Sequence, residues 1–194
     1  MKYPEYAKVG DKKYKINTDF RVALECSKIS QDTTIGNTER TLAIIYKLFG
    51  KEGLDATNDY EALKDIAIKY LNCGKELPNG NDKPDMDYEE DEGYIRSSFQ
   101  YDYKYDPYEQ EYCHWFKFFN DLNNLSNSEM GSCCVLNRVR NLRNYDLSKI
   151  KDPKEREKIR KAKESVALKR YKKEVKLTQE QLESMNKLNQ IIGL

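Results

Sequence analysis

Residues 106–122, DPYEQEYCHWFKFFNDL, constrain the fold more than any other segment. They hold the only Trp, the only His and three of the six Phe in the chain. Asp106 can cap a helix, and Pro107 suits a first turn, where its missing N–H is no loss. Tyr108, Tyr112, Trp115, Phe116, Phe119 and Leu122 then recur at helical spacing, which predicts one helix with an aromatic stripe. So much ring area must be covered. The cover is either the protein's own core or a partner's surface. On the second reading Tyr112, Trp115, Phe116 and Phe119 are the partner-binding residues.

Charged residues make up 35% of the chain and hydrophobic ones 38%, lean for a globule but too apolar for full disorder. Prolines and glycines are sparse enough to leave long uninterrupted windows, which favours helices. The net charge of +1 conceals an uneven distribution. Residues 82–92 carry seven acids and one Lys, whereas residues 149–176 carry thirteen Lys or Arg against five acids. Such polarity predicts contact between unlike surfaces, within one molecule or between copies. No window holds eighteen apolar residues, and the N-terminus has no hydrophobic signal region, so a soluble cytoplasmic protein is expected. Five cysteines, with Cys133 and Cys134 adjacent, suit neither a disulfide framework nor a zinc knuckle.

Residues 5–16 alternate like a β-ribbon, turning at Gly10-Asp11. Asn17 or Thr18 is expected to cap a helix carrying Phe20, Leu24 and Ile29. A second helix over residues 37–49 has Leu42, Ile45, Leu48 and Phe49 on one side and Gly50 as its stop. Residues 58–73 form the cleanest amphipathic pattern, with Asn58 as cap, Leu63, Ile66, Ala67, Tyr70 and Leu71 as core face, and Gly74 at the end. Residues 75–87 read as a linker, and the acids at 87–92 as the favourable charge at a fourth helix start. Ser126 to Glu129 reads as a capping box for a helix with Met130, Cys134, Val135, Val139 and Leu142. Asp152-Pro153 opens a basic helix running to about Val175, and Thr178 opens a last one bearing Leu182, Met185, Leu188 and Ile192. The expected fold is mainly α: about seven helices in a compact bundle with a small N-terminal β-hairpin. Residues 1–148 form the helical domain and residues 149–194 a basic helical extension.

The chemistry points away from catalysis. Neighbours on a helix point about 100° apart, so Cys113 and His114 are badly placed for proton transfer. His114 is expected to cap or rim a core. No paired spacing presets a zinc site, no Gly-rich loop cradles phosphate, and sequential acids around a helix do not converge on a cation. The chain is therefore not expected to be an enzyme or to need a cofactor. Lys154, Lys158, Lys161, Lys169 and Arg170 form a charged interaction surface. Interspersed acids such as Glu157, one turn before Lys161, also fit a simply solvated helix. No base-reading pattern accompanies the charge, so nucleic acid is an unlikely partner.

Three landmarks occur in order: the ribbon followed by Ile16-Asn17-Thr18-Asp19-Phe20-Arg21; Tyr88-Glu89-Glu90-Asp91 with Tyr94-Ile95 and Phe99; and His114-Trp115-Phe116-Lys117-Phe118 ahead of Ile150-Lys151-Asp152-Pro153-Lys154-Glu155-Arg156. Over residues 9–168 the chain resembles the bacteriophage gene-product-fifteen family of long-tailed phages and prophages of Gram-positive bacteria. It departs from the family in having Phe116 where a second Trp stands and in residues 176–194, which run past the usual end. The resemblance implies a tail assembly chaperone in the host cytoplasm, binding the tape-measure protein as a homo-oligomer without a membrane. A structural tail or neck component is the alternative, and a nucleic-acid-binding protein of a mobile element a further one.

Overall fold

The structure, a computed structural model, describes residues 2–75, 84–127 and 133–169. Strands β1 (Tyr6–Val9) and β2 (Lys12–Lys15) pair antiparallel with Ala7 opposite Tyr14. Gly10 turns the chain at φ +57°, a left-handed conformation that costs glycine little. Ala7, Tyr14 and Ile16 face the core, while the lysines between them remain exposed. Two strands alone are marginal. This ribbon is held by the Asn17 N–H donating to the Leu48 carbonyl at 2.7 Å and by the Tyr14 hydroxyl donating to Asp59 at 2.5 Å.

Seven α-helices follow among the described residues: α1 (Phe20–Gln31), α2 (Asn37–Asp55), α3 (Tyr60–Leu71), α4 (Glu92–Tyr103), α5 (Trp115–Asn123), α6 (Val135–Asn144) and α7 (Pro153–Ser165). The mainly α fold with a minor hairpin is thus as the sequence indicates. The core joins the ribbon to α1–α6 around Phe20, Phe99 and Phe118, three fully buried rings. Phe118 stacks on Phe20 with centroids 4.4 Å apart and on Phe99 at 5.3 Å.

Several boundaries move, each for a local reason. The cap of α1 is Asp19, whose carboxylate accepts the Arg21 N–H at 2.9 Å, not Asn17 or Thr18. Gly50 does interrupt α2 at φ +66°, but the chain then resumes helical turns to Asp55. Those turns fold back because Gly53 has no side chain: a Cβ there would lie 2.6 Å from the Phe49 Cβ. A 3-10 turn, Thr57–Asp59, precedes α3, and Asp59 rather than Asn58 stands at the cap position. Leu42, expected in the core, is exposed, and Leu24 and Ile29 are half-buried. Ser126 does not open α6. Its N–H and hydroxyl both donate to Asp102, at 2.6 and 2.9 Å, and Cys134 takes the cap position of α6. The rest of the expected capping box, at Ser128 and Glu129, lies outside the described residues, as does Met130.

The basic helix begins as expected, with Asp152 accepting the amides of Lys154 and Glu155. It ends at Ser165, well short of residue 175, because the Val166 carbonyl accepts from Arg143 at 2.7 Å and Leu168 is buried. The expected helix from Thr178 lies outside the described residues.

Candidate functional site

Residues 106–113 are not helical. The Asp106 carboxylate accepts the Tyr108 N–H at 2.9 Å, but the turn goes no further. The cause is Arg21 on α1, whose Nη2 donates to the carbonyls of Tyr108 at 3.0 Å and Gln110 at 2.6 Å. An irregular segment whose carbonyls are taken by a guanidinium need not close i to i+4 rings. The helix starts instead at Trp115, with His114 as its cap: the imidazole Nδ1 accepts the Phe116 N–H at 3.1 Å. The other ring nitrogen, Nε2, lies 3.3 Å from the Pro4 carbonyl, which fits the tautomer with its proton on Nε2. Burial lowers the pKa of His114, against the pull of Pro4 and Glu5.

The starts of α1 and α5 are tied to each other. Asp19 and His114, the two cap residues, form an antiparallel bridge. Phe20 N–H donates to the Cys113 carbonyl at 2.9 Å, and Trp115 N–H donates to the Thr18 carbonyl at 2.7 Å. Cys113 is buried, and desolvation raises its thiol pKa, the opposite of what an activated nucleophile requires.

This arrangement separates the four aromatic residues expected to bind a partner. Trp115 is buried, its indole N–H donating to the Leu71 carbonyl at 3.1 Å. Phe116 is half-buried against Tyr70, with ring centroids 5.2 Å apart. Phe119 is half-buried beside Trp115 at 5.4 Å. Tyr112 precedes the helix, is exposed, and shares a hydrogen bond of 2.6 Å with Thr18. Only Trp115 and Phe119 meet at a common cavity.

That cavity is an open, mainly apolar groove of about 510 Å³ bounded by α1, α2 and α3. Ala23, Ile44, Ile68 and Leu71 line it, and Tyr88, Trp115 and Phe119 also contribute. Ile68 is 45% exposed although it lies among apolar neighbours. Composition alone did not distinguish this groove, because Ile68 falls outside the apolar stripe of α3 and only the folded geometry places it there.

The acidic segment is engaged chiefly by α6. Arg143 and Asp91 form a bidentate pair, Nη1 to Oδ2 and Nη2 to Oδ1 both at 2.7 Å, with the Asp91 side chain 1% exposed. Arg143 also donates to the carbonyl of Asp85 at 2.8 Å, and Arg140 pairs with the Asp85 carboxylate at 3.2 Å. Nothing in the charge runs alone marks this pair, yet it leaves a signal in the sequence. Asp91 lies one turn before Ile95 on the buried stripe of α4, and Arg143 one turn after Val139 on that of α6.

The basic residues behave differently. Lys154, Lys158, Lys161 and Lys169 are exposed, α7 buries none of its residues, and Arg170 lies outside the described residues. On α7 Arg160 takes Glu157 and Glu164, and Lys161 stands 3.8 Å from Glu157. Among the described residues no group of three or more His, Cys, Asp or Glu could hold a metal ion, and no helix is long and apolar enough to cross a membrane.

The INTDFR and HWFKF motifs thus meet as the paired starts of α1 and α5, at the centre of a helical bundle carrying an apolar groove. The family model described as Bacteriophage Gp15 protein matches residues 4–168. The chain belongs to this family and is phage-related. No curated protein and no solved structure matches it.

Proposed function

We propose that this chain is a phage tail assembly chaperone, which holds the tape-measure protein in solution in the host cytoplasm until the tail tube forms around it. It acts by binding, as a homo-oligomer, and catalyses no reaction. The supporting observation is the apolar groove. Its volume, about 510 Å³, falls within the roughly 300–1,000 Å³ of ordinary ligand pockets. A groove between helices accepts the apolar face of an amphipathic helix through anchors at i, i+3, i+4 and i+7. Tape-measure proteins are long and helical by the family resemblance, so many copies could cover one client and mask surface that otherwise aggregates. Of the four aromatic residues, Trp115 and Phe119 then contribute to the groove's lining, and Ile68 is its exposed apolar contact.

Co-expression with the neighbouring tape-measure protein tests this. The wild-type chain is expected to keep the client soluble and to co-purify with it at high multiplicity. Ile68→Glu should leave the fold's melting temperature nearly unchanged and the client insoluble. A client that remains bound to Ile68→Glu removes the groove from the mechanism. A client that never binds, with this chain instead present in purified particles, favours the structural tail or neck component.

A further inference from the structure

We propose that the open cleft beside the break in α2 is the surface through which two copies of this chain pair about a twofold axis. Gly50 makes the cleft: its left-handed backbone, at φ +66°, ends the straight run of α2 before the helical turns resume. The space left is about 910 Å³, lined by residues 15–18 after the ribbon, residues 46–52 of α2, Glu5 and Tyr112.

Two tyrosines stand open there, Tyr46 at 52% exposure and Tyr112 at 55%. The hydrogen bond between Tyr112 and Thr18 holds the second ring in place. One turn before Tyr46, Leu42 is exposed as well, although its periodicity suggests a core position. On α2 these two residues lie on the side away from Ile44, which lines the apolar groove. The helix therefore carries a second apolar stripe, left uncovered by the described residues and leading into the cleft. Tyrosine is enriched at protein interfaces because it offers a large, stiff contact area at low entropic cost.

The charges identify the occupant. Lys15, Lys51, Glu5 and Glu52 line the cleft and enter no ion pair, although Glu5 lies near the His114 ring. The remaining charge on the lining, Lys47, is held by Glu25 at 2.5 Å. A twofold axis sets the same patch on both sides, so a patch of one sign repels itself. A patch with two cations and two anions offers each charge an opposite on its copy, whereas a strongly acidic or basic partner would meet its own sign. The cleft is as large as an ordinary ligand pocket, with room for the partner copy's Tyr46 ring. Its lining is smaller than the roughly 20–30 residues a side of a standard interface, so pairing should be weak, with a dissociation constant of roughly micromolar. The cleft and the apolar groove share no lining residue, so a pair keeps both grooves open. That a pair thereby holds two stretches of client rests on the chaperone reading; the pairing does not.

The test is sedimentation equilibrium on the full chain, with no client present. The wild type should be a monomer and dimer in exchange at micromolar concentration. Lys15→Glu/Lys51→Glu makes the cleft wholly acidic, and Glu5→Lys/Glu52→Lys makes it wholly basic. Each variant alone should keep the wild-type circular dichroism and associate at least tenfold more weakly. Mixed in equal amounts, the two should form a heterodimer that half-molar salt weakens. Tyr46→Ala, which changes no charge, should also weaken pairing about tenfold. A wild type that stays monomeric, variants that self-associate as the wild type does, a mixture that stays monomeric, or an unaffected Tyr46→Ala each overturn the proposal. A monomeric wild type would leave client binding in the groove untouched, and a client that never binds would leave the pairing untouched.

Discussion

At the scale of single residues, the ion pair between Asp91 and Arg143 carries the highest stakes. Burying two charges costs several kcal/mol each, offset here by bidentate geometry and by the carbonyls of Asp85 and Val166. Arg143→Ala strands the carboxylate and should cost about 3–5 kcal/mol, read from urea unfolding. His114 makes a pH prediction. Its pKa is lowered on folding, so the unfolded chain takes up the proton more readily and stability rises with pH. The contribution is complete above the unfolded pKa of about 6.5 and is lost as pH falls through it toward the folded value. Protonation also removes the Nδ1 acceptor that caps α5. Asn can cap a helix without titrating, so His114→Asn should flatten the fall in melting temperature between about pH 7 and 5. The depressed carboxylates, Asp59 and Asp32 among them, act below that window.

At the scale of elements, packing sets the turns that follow Gly50. Gly53→Ala places a methyl group against the Phe49 Cβ and should cost roughly 1–3 kcal/mol in thermal or urea melts. A smaller loss would mean that residues 51–55 can shift away from α2. Elements governed by their own residues were legible in the sequence. The ribbon follows from its Gly-Asp turn, the buried face of α3 from its periodicity, and the start of α7 from Asp152-Pro153. Elements governed by distant side chains were not. Residues 106–113 have the composition of a helix start, but Arg21, far away in sequence, takes their carbonyls. Ser126 has the form of a cap, but Asp102 claims its hydroxyl and its amide. The groove itself was only half legible, because Trp115 and Phe119 reveal an aromatic helix without indicating which neighbours leave space beside it.

At the scale of the whole molecule, one core joins the ribbon to α1–α6, and Arg143 ties α6 to both the acidic segment and the chain after α7. Unfolding should therefore be a single transition. Trp115, the only indole and a core residue, should lose its native fluorescence at the same urea concentration at which helical circular dichroism collapses. Two separated transitions would show that the groove helices and α6–α7 are independent units. Only the acidic half of the charge asymmetry is met inside the molecule, at Asp85 and Asp91, and by arginines of α6 rather than the lysines of α7. The exposed basic face of α7 therefore remains available for contacts outside the molecule.

The bridge between Asp19 and His114 has a consequence for synthesis. Neither helix start is complete until the other exists, because each supplies the carbonyl that receives the other's first amide. A nascent chain paused before residue 113 holds α1 without the Cys113 carbonyl that receives its first amide, and contacts so distant along the chain form late. The ribosome must therefore release more than half of the polypeptide before the first helix can lock, and any product shortened upstream of that point lacks the partner for the start of α1.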